Sequence, residues 1–427
     1  TAPSPWRGVI AAGVLAAALG KAAQLPFSFW LSRAMEGPSP VSALLHSAAM
    51  VAMGGFLLLR AEPLLSSTEW APGVTAWAGV LTALALGAVA IAQTDLKQLL
   101  AASTASQLGF VVLAAGVGSV AGGTAQLVAH AATKALLFLA AGAWLTALGT
   151  KHLDGLLGVA RRWPVVGWCA TIGAVSLAGL APLSLWASKD AVLAAALEQS
   201  AWLYAAGLAA VGLSAAYAAR ILVVLWRAPS PARRRAAQSH LDEEGPGTRE
   251  VTPWQRVPLV PLAAGAAVLG LLALQPLAGA VADTVGGSPV AVSPRELAGS
   301  ALLAVVVVLA VVRWGTPRLA WAAGWLGLER AAHRLVVDPT LALARGLDRL
   351  DRRLDGVVTG AATATIGLAG IAERSDRGVD TAVHRFAGWV RRLGRFARRP
   401  QTGQVHHYYL EAGALIAAGL LLLLTVR

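Results

Sequence analysis

The chain has 427 residues, of which 56% are hydrophobic and 13% are charged, and its mean hydropathy is +0.63. Because a soluble domain carries about 25% charged residues, this composition excludes an ordinary water-soluble enzyme. The net charge of +13 would favour nucleic-acid binding in a soluble protein, but here the basic residues lie in loops and one late segment, which indicates anionic lipid headgroups instead. The single cysteine, Cys169, excludes a disulfide framework and a cysteine metal site.

Ten apolar runs are long enough to cross a bilayer, which requires a helix of roughly 20 mostly apolar residues. An even number of crossings places both termini on the same side of the membrane. The sequence therefore predicts an all-α polytopic membrane protein with about ten transmembrane helices. The predicted spans are 6–24, 40–60, 73–92, 97–117, 122–147, 164–183, 200–226, 256–280, 297–315 and 408–426.

Lysine and arginine are unequally divided between alternate connecting loops, and such residues are retained on the cytoplasmic side. The poorer set of loops holds Arg60 and Arg295. We therefore expect the richer set, which includes the loops around Arg33 and Arg233, to be cytoplasmic and both termini to be outside. The richer set holds Arg33, Lys97, Lys151, Arg161, Arg162, Arg227, Arg233, Arg234, Arg235, Arg249 and Arg256.

Two segments differ in composition from the spans. Residues 227–257 are rich in proline, charged and small polar residues, which predicts a cytoplasmic surface loop. Residues 337–398 carry apolar side chains at helical spacing among Arg and Asp, which predicts an amphipathic helix too charged to span. Unbroken, it would reach roughly 90 Å, although several glycines make a kink plausible, and a cytoplasmic helical hairpin is the alternative. These glycines are Gly356, Gly360, Gly367 and Gly370.

Lys21 is the first of three lysines within or beside apolar runs. A lysine at the bilayer centre costs at least about 2.5–3.5 kcal/mol, so intramembrane charge indicates function. Pro26 follows Lys21 closely and is expected to break the helix and free backbone carbonyls near the ammonium group. The alternative is a lysine that snorkels at a helix end, because Pro26 would equally mark the membrane boundary.

Lys134 lies in the middle of span 122–147, with His130 one turn before it and Gln126 one turn before that. All three side chains therefore share one helix face. Burial makes a lysine easier to deprotonate and histidine titrates near neutrality. This stripe predicts proton transfer between neighbours, although a buried histidine alone is more often a structural core residue.

A second interruption precedes Lys189, where Gly179 and Pro182 break an apolar run and Asp190 adjoins the lysine. Broken helices with an ion-handling residue beside the break recur in transporters. His46, on the span after Lys21, is placed to bridge between lysines.

Span 97–117 carries a polar stripe that either holds water or packs helices. No nucleophile with a base, metal-ligand spacing, phosphate-binding loop, flavin signature or iron–sulfur signature is present in the sequence. We therefore expect no cofactor in this chain and no electron transfer by it alone. The stripe consists of Ser103, Thr104, Ser106 and Gln107.

Four stretches closely resemble the antiporter-like proton-channel core shared by respiratory complex I and Mrp-type antiporters. The resemblance covers about 6–226. The stretches are GKAAQLPFSFWLSRAMEGPSPVSALLHSAAMV, DLKQLLAASTASQLGFVVLAAGVG, AQLVAHAATKALLFLAAG and LAPLSLWASKD.

The resemblance implies a role for each candidate residue in proton transfer. Lys21 matches the lysine on the family's first broken helix and His46 its bridging histidine. His130 and Lys134 match the central pair, in which Lys134 would be the switching centre. Lys189 and Asp190 match the lysine and the acidic residue on the second broken helix, which leads to the exit. Gln126 stands where the family commonly has histidine, so the relay there would use water or the neutral amide.

Segment 337–398, followed by QTGQV and a last span, is similar to the lateral helix and terminal helix of subunit L (subunit 5) members of the family. The resemblance implies a proton-translocating subunit of NADH:quinone oxidoreductase in a bacterial inner membrane. Flavin, iron–sulfur clusters and quinone would belong to partner subunits. Its partners would be the lipid bilayer and adjacent antiporter-like subunits along the lateral helix. The alternatives are an Mrp-type cation/proton antiporter, which generally lacks that helix pair, and a membrane subunit of inorganic-carbon uptake.

The predicted organisation departs from the family at its beginning. The chain starts at Thr1 without a signal-peptide pattern, and about six spans found in the family would precede it. The first half-channel is therefore expected to be incomplete and the second, 73–226, whole. The missing spans would be either truncated or supplied by another polypeptide. The expected parts are an antiporter-like core with two broken helices at 1–226, the loop at 227–257, two further spans and a connection at 258–336, the lateral helix at 337–398 and a terminal span at 399–427.

Overall fold

The computed structural model describes residues 4–228, 247–287, 292–399 and 401–425. Helices form nearly all of the secondary structure in these ranges, and one isolated antiparallel bridge joins Asp95 to His152. The chain divides into two compact units, Thr1–Arg334 and Leu335–Arg427. The all-α fold predicted from the sequence is confirmed.

The first unit contains most of the helices. Their order is α1 Ser4–Lys21, α2 Phe29–Ala34, α3 Ser39–Ala43, α4 Met50–Arg60, α5 Glu62–Ser66, α6 Ala71–Ala92, α7 Leu96–Gly116, α8 Val120–Leu148, α9 Val159–Arg162, α10 Pro164–Ala178, α11 Ser184–Gln199, α12 Ala201–Trp226, α13 Pro253–Arg256, α14 Leu259–Val268, α15 Leu277–Val285, α16 Pro294–Trp314, α17 Ala320–Ala323 and α18 Leu328–Ala332. A π-helical turn, Leu44–Ala49, joins α3 to α4, and 3₁₀ turns occur at Leu269–Ala273 and Trp325–Gly327.

Within the described ranges, nine helices are long and apolar enough to cross a membrane. Eight of them coincide with predicted spans, and the ninth lies within Trp325–Ala397. Two predicted spans were drawn too long: the helix predicted at 6–24 ends at Lys21, and that at 164–183 ends at Ala178. The run predicted at 256–280 is also interrupted, because the chain turns at Pro276 between the 3₁₀ segment and α15.

The helix α7 forms the centre of the first unit, and every residue in it except Gln98 is buried. Its close neighbour α6 reaches it through glycines, since a Cβ on Gly109 would lie 2.5 Å from the carbonyl oxygen of Gly79. Small residues at such crossings let helix backbones approach in a membrane protein. Asp95 begins α7 by accepting a hydrogen bond from the Gln98 amide at 3.1 Å, as expected of an N-cap aspartate.

Both predicted helix interruptions are present. After α1 the backbone turns through residues 22–28 before α2 begins. After α10, Gly179 adopts the left-handed conformation with φ +77°, and α11 begins at Ser184. The π-helical turn that contains His46 was not predicted, because its sequence gives no period that distinguishes it from an α-helix.

The connection between α12 and α13 contains part of the surface loop predicted at 227–257. Residues 247–250 have no regular secondary structure and bind the C-terminal end of α8, where the Arg249 amide donates to Ala147 O at 2.8 Å. The rest of the predicted loop, including Arg233, lies outside the described residues. One residue counted among the loops is misplaced: Lys97 lies in the first turn of α7 and is 2% exposed.

The second unit contains α19, Asp338–Ala397, and α20, Val405–Thr425. The 60 residues of α19 form one continuous helix, so the predicted long amphipathic helix is confirmed and the hairpin is excluded. The glycines at 356–370 do not break it. The prediction that it is too charged to span was wrong for its middle, because residues 356–372 carry no charge and Trp325–Ala397 meets the length and apolarity criterion.

Candidate functional site

Lys134 lies at the middle of α8 and is completely buried. Its ammonium group donates to the backbone carbonyl of Leu100 at 3.1 Å and to the Ser103 hydroxyl. Both acceptors belong to α7, so part of the polar stripe predicted there contacts the lysine directly. A lysine ammonium has three donors, and its two acceptors among the described residues are both neutral groups.

His130 lies one turn before Lys134 and is also completely buried. It is close enough to Lys134 and Lys189 to interact with both electrostatically. Neither ring nitrogen has a hydrogen-bond partner among the residues that the structure describes. The fold therefore places His130 within electrostatic range of both lysines, with its two ring nitrogens unbound by any described residue.

Lys189 lies in α11, is 1% exposed and binds the end of the broken helix α10. Its ammonium donates to Leu177 O at 3.0 Å and to Ser214 Oγ at 2.8 Å. The break explains this contact. Gly179 and Leu180 donate their amides to Ser176 O and Val175 O, a Schellman ending that leaves the next carbonyl without an intrahelical partner.

A line of neutral polar groups runs from Lys189 back towards α8, and we call it the polar track. Gln107 donates to the Tyr217 hydroxyl at 2.6 Å and accepts from Gln126 at 3.2 Å. Ser188 in turn donates to Gln126 at 2.6 Å, and the Tyr217 hydroxyl is within reach of Ser214. The polar track therefore consists of Ser214, Tyr217, Gln107, Gln126 and Ser188, and it begins at the serine that binds Lys189.

Asp190 follows Lys189 and is buried. Its Oδ2 atom accepts a hydrogen bond from Ser300 Oγ at 2.5 Å. Ser300 is a buried residue of α16. The carboxyl group is therefore held by a helix much later in the chain.

His46 and Lys97 lie together on another side of α7. His46 is buried in the π-helical turn, 6.3 Å from the ring of Trp30, and it is close enough to Lys97 to interact with it electrostatically. Lys97 donates to Gly37 O at 2.7 Å and lines a surface cavity of about 630 Å³. Lys97 lies one helical turn before Leu100, the residue whose carbonyl binds Lys134.

Lys21 differs from the other candidate lysines. It is the last residue of α1 and its side chain is exposed on the surface of this chain. The structure thus brings Lys134, His130, Gln126, Lys189 and Asp190 into one buried region but leaves Lys21 outside it.

Four polar residues of this region were missed by the sequence reading. Ser188 adjoins Lys189, while Ser214 and Tyr217 lie three residues apart on the mostly apolar α12. That spacing places Ser214 and Tyr217 on one helix face, so the sequence alone would have allowed a polar face on α12 to be predicted. Ser300 offered none, because one serine in an apolar span is common.

Comparison with known proteins identifies the family to which this geometry belongs. The sequence model of the NADH:quinone oxidoreductase/Mrp antiporter transmembrane family matches residues 4–214, about half of the chain. Through these residues the chain belongs to that family. The predicted resemblance is confirmed, and the chain is a multi-pass membrane protein.

The similar proteins include subunits of NADH:quinone oxidoreductases. The chain is 38% identical over 217 residues to chloroplast NAD(P)H-quinone oxidoreductase subunit 5 of Mesostigma viride, covering 49% of this chain and 33% of that protein. It is also 38% identical over 211 residues to NADH-quinone oxidoreductase subunit L of Rickettsia felis, covering 49% and 32%. The chain thus spans about a third of the length of these curated relatives.

A similar solved structure comes from an Mrp complex of Dietzia sp. DQ12-45-1b. The match has a TM-score of 0.65 and 30% sequence identity, and it covers 86% of this chain and 42% of the other. That share of the chain exceeds the first compact unit, Thr1–Arg334, so the similarity extends into the second.

Proposed function

We propose that this chain is the subunit L part of a bacterial NADH:quinone oxidoreductase and carries protons across the inner membrane. The observation that carries the proposal is the pair of buried lysines, Lys134 and Lys189, with His130 close enough to interact electrostatically with both. Two cations in a medium of low dielectric repel strongly, so charge on one disfavours charge on the other. Loading one lysine would therefore drive the proton from its neighbour.

Proton transfer between the two lysines would use His130. A neutral imidazole accepts a proton on one nitrogen and releases one from the other. Because buried polar atoms without protein partners are usually satisfied by water, the two ring nitrogens of His130 favour a hydrated position. The polar track would run alongside it, with the Gln126 amide as a neutral link in place of the histidine common in the family.

Uptake from the cytoplasm would begin at the cavity lined by Lys97. Lys97 would exchange protons with water in the cavity, and its proximity to His46 and to the Leu100 carbonyl bound by Lys134 supports a path to the centre. Lys21 and His46 would serve the preceding half-channel. We assign Lys189 and Asp190 to the outward side.

Redox chemistry would occur in partner subunits that hold flavin, iron–sulfur clusters and quinone. This chain would be a subunit of the translocase and would contribute only the proton path. Its long helix α19 would lie along adjacent antiporter-like subunits, with the apolar residues of one face against them or the lipid. The relatives named as subunits 5 and L support this assignment.

A second candidate is a subunit of an Mrp-type cation/proton antiporter, favoured by the Mrp-complex structure that matches 86% of this chain. The two candidates use different energy sources, which an experiment separates. The complex that contains this chain is purified from its native membrane and reconstituted into liposomes. We expect NADH oxidation with added quinone to drive proton translocation. Proton movement driven by a Na⁺ gradient but not by NADH would contradict the proposal and favour the antiporter.

A further inference from the structure

Asp190 is bound by a helix that lies outside the segment matched by the family. The family match ends at residue 214, whereas the serine that donates to Asp190 Oδ2 belongs to α16, Pro294–Trp314. Asp190 and Ser300 are both buried, at 3% and 4% exposure. A second contact fixes the two helices, because Trp186 Nε1 in α11 donates to Leu297 O in α16 at 3.0 Å.

A second carboxylate lies on the same face of α16. Glu296 precedes Ser300 by four residues, which is one helical turn, and it is half-buried. It is close enough to Asp190 and to Tyr204 to interact with both electrostatically. Since α16 begins at Pro294, Glu296 lies in the first turn of that helix. It therefore lies between the buried pair Asp190 and Ser300 and the N-terminal end of α16.

We propose that Ser300 and Glu296 form the path by which protons leave the buried centre after Lys189. This inference rests on the proposed function. In the outward step, the O–H bond of protonated Asp190 breaks and its proton passes to Ser300 Oγ, while the Ser300 hydroxyl proton passes to the Glu296 carboxylate. A water molecule would bridge the rise of about 6 Å along the helix. Glu296 then releases the proton to water at the start of α16.

The orientation expected from the sequence agrees with this direction. Arg295 lies in the first turn of α16, and the connection that precedes this helix belongs to the set of loops poor in Lys and Arg, which is expected outside. The connection between α11 and α12 belongs to the same set, and Tyr204 lies in the first turn of α12. The proposed exit therefore faces the side opposite the cavity at Lys97.

A purely structural role for Glu296 is the alternative that must be separated. Ser293 and Glu296 form a capping box, in which Ser293 N donates to Glu296 Oε2 at 3.1 Å. Glutamine closes a capping box as glutamate does, but its amide cannot carry a proton under these conditions. Glu296→Gln thus preserves the cap and removes the proton carrier, whereas Glu296→Ala removes both.

The test measures NADH-driven proton translocation and quinone reduction by the assembled complex in liposomes, with assembly checked on native gels. The variants are Glu296→Gln, Ser300→Ala and Ser300→Thr, and the control is Glu69→Gln, which changes an exposed carboxylate. We expect Glu296→Gln and Ser300→Ala to assemble and to lower the translocation rate on the order of a hundredfold or more, the lower end of what a positioned proton carrier contributes. Ser300→Thr keeps the hydroxyl and should restore translocation, and the control should translocate normally.

Two results separate failure of this inference from failure of the proposed function. Translocation at the parental rate in both Glu296→Gln and Ser300→Ala, while Lys189→Ala is inactive, would overturn the exit and leave the proposed function standing. Parental translocation rates in Glu296→Gln, Ser300→Ala and Lys189→Ala would overturn both the proposed exit and the proposed function. If Glu296→Ala alone lost activity, together with thermal stability, Glu296 would be a cap and the exit would again be overturned.

Discussion

The pair Lys134 and Lys189 shows how a membrane protein holds buried amines largely with neutral acceptors, although Asp190 adjoins Lys189 and interacts with it electrostatically. Each ammonium binds one backbone carbonyl and one serine hydroxyl, those of Leu100 and Ser103 for Lys134 and of Leu177 and Ser214 for Lys189. Neutral acceptors stabilise the charged form only partly, so both the charged and the neutral amine remain accessible. A tightly ion-paired lysine would hold its proton more firmly.

The Tyr217 hydroxyl is expected to contribute to both stability and proton translocation. Tyr217→Phe removes the hydroxyl that joins Gln107 to Ser214 at the Lys189 end of the polar track and leaves the ring in place. We expect the free energy of unfolding to fall by about 1–3 kcal/mol, because Gln107 loses a buried partner. We also expect proton translocation to fall severalfold. Quinone reduction is measured in parallel, so that the number of protons translocated per quinone is known.

The matched control is Tyr409→Phe, since Tyr409 is exposed in α20 and should tolerate the change. If Tyr217→Phe lost stability but translocated protons at the parental rate, the polar track would be only a structural network.

At the scale of the helical elements, the break between α10 and α11 determines the geometry of the second lysine. Gly179 adopts φ +77°, which an alanine reaches only at a cost of roughly 1–2 kcal/mol. A Cβ there would lie 3.6 Å from Lys189 Nζ, an ordinary contact, so the cost is in the backbone. If the backbone of an alanine at position 179 shifted to relieve this cost, the Leu177 carbonyl that binds the Lys189 ammonium would move with it.

We therefore expect Gly179→Ala to lower both thermal stability and proton translocation. Gly118→Ala is the matched control, because Gly118 has φ +73° and its Cβ would also have only an ordinary contact, 3.9 Å from Glu62. Both substitutions should lower the free energy of unfolding by about 1–2 kcal/mol, measured by thermal unfolding of the purified complex. Equal translocation by the two variants would contradict a special role for the break.

Local sequence rules predicted the helices and their breaks better than the contacts between residues distant in sequence. Pro26 and the Gly179–Pro182 pair indicated the breaks because proline and glycine act on their own backbone. The stripe of Gln126, His130 and Lys134 followed from helical spacing alone. By contrast, Ser300 contacts Asp190 from 110 residues away, and the buried Lys97 donates to the Gly37 carbonyl from 60 residues away. Such pairs depend on tertiary packing, which the period of one helix does not contain.

At the scale of the whole molecule, the distribution of lysine and arginine predicts which side of the membrane each loop faces. The burial of Lys97 removes one residue from the cytoplasmic set but keeps the asymmetry, because the opposite set still holds only Arg60 and Arg295. The proposed uptake at Lys97 and exit at Glu296 both depend on this orientation.

Single cysteines test the orientation in intact cells and in inverted vesicles with a membrane-impermeant maleimide. We expect Ser67→Cys to react from the outside and Glu250→Cys from the cytoplasmic side, since both positions are exposed on connections of opposite sets. The native background should be low, because Cys169 is buried. Labelling of the two positions from the reversed sides would contradict the predicted orientation.

Lys134→Ala in the assembled complex, measured as the number of protons translocated per quinone reduced, decides whether the buried amine of α8 carries protons. We expect a complex that assembles normally and translocates fewer protons per quinone, with almost none passing through this chain, because the buried amine at the centre of α8 is gone. Lys151→Ala is the control, since Lys151 is partly exposed and pairs with Asp95 at 3.9 Å, and it should match the parent. A Lys134→Ala complex that translocates as many protons per quinone as the parent would contradict the account.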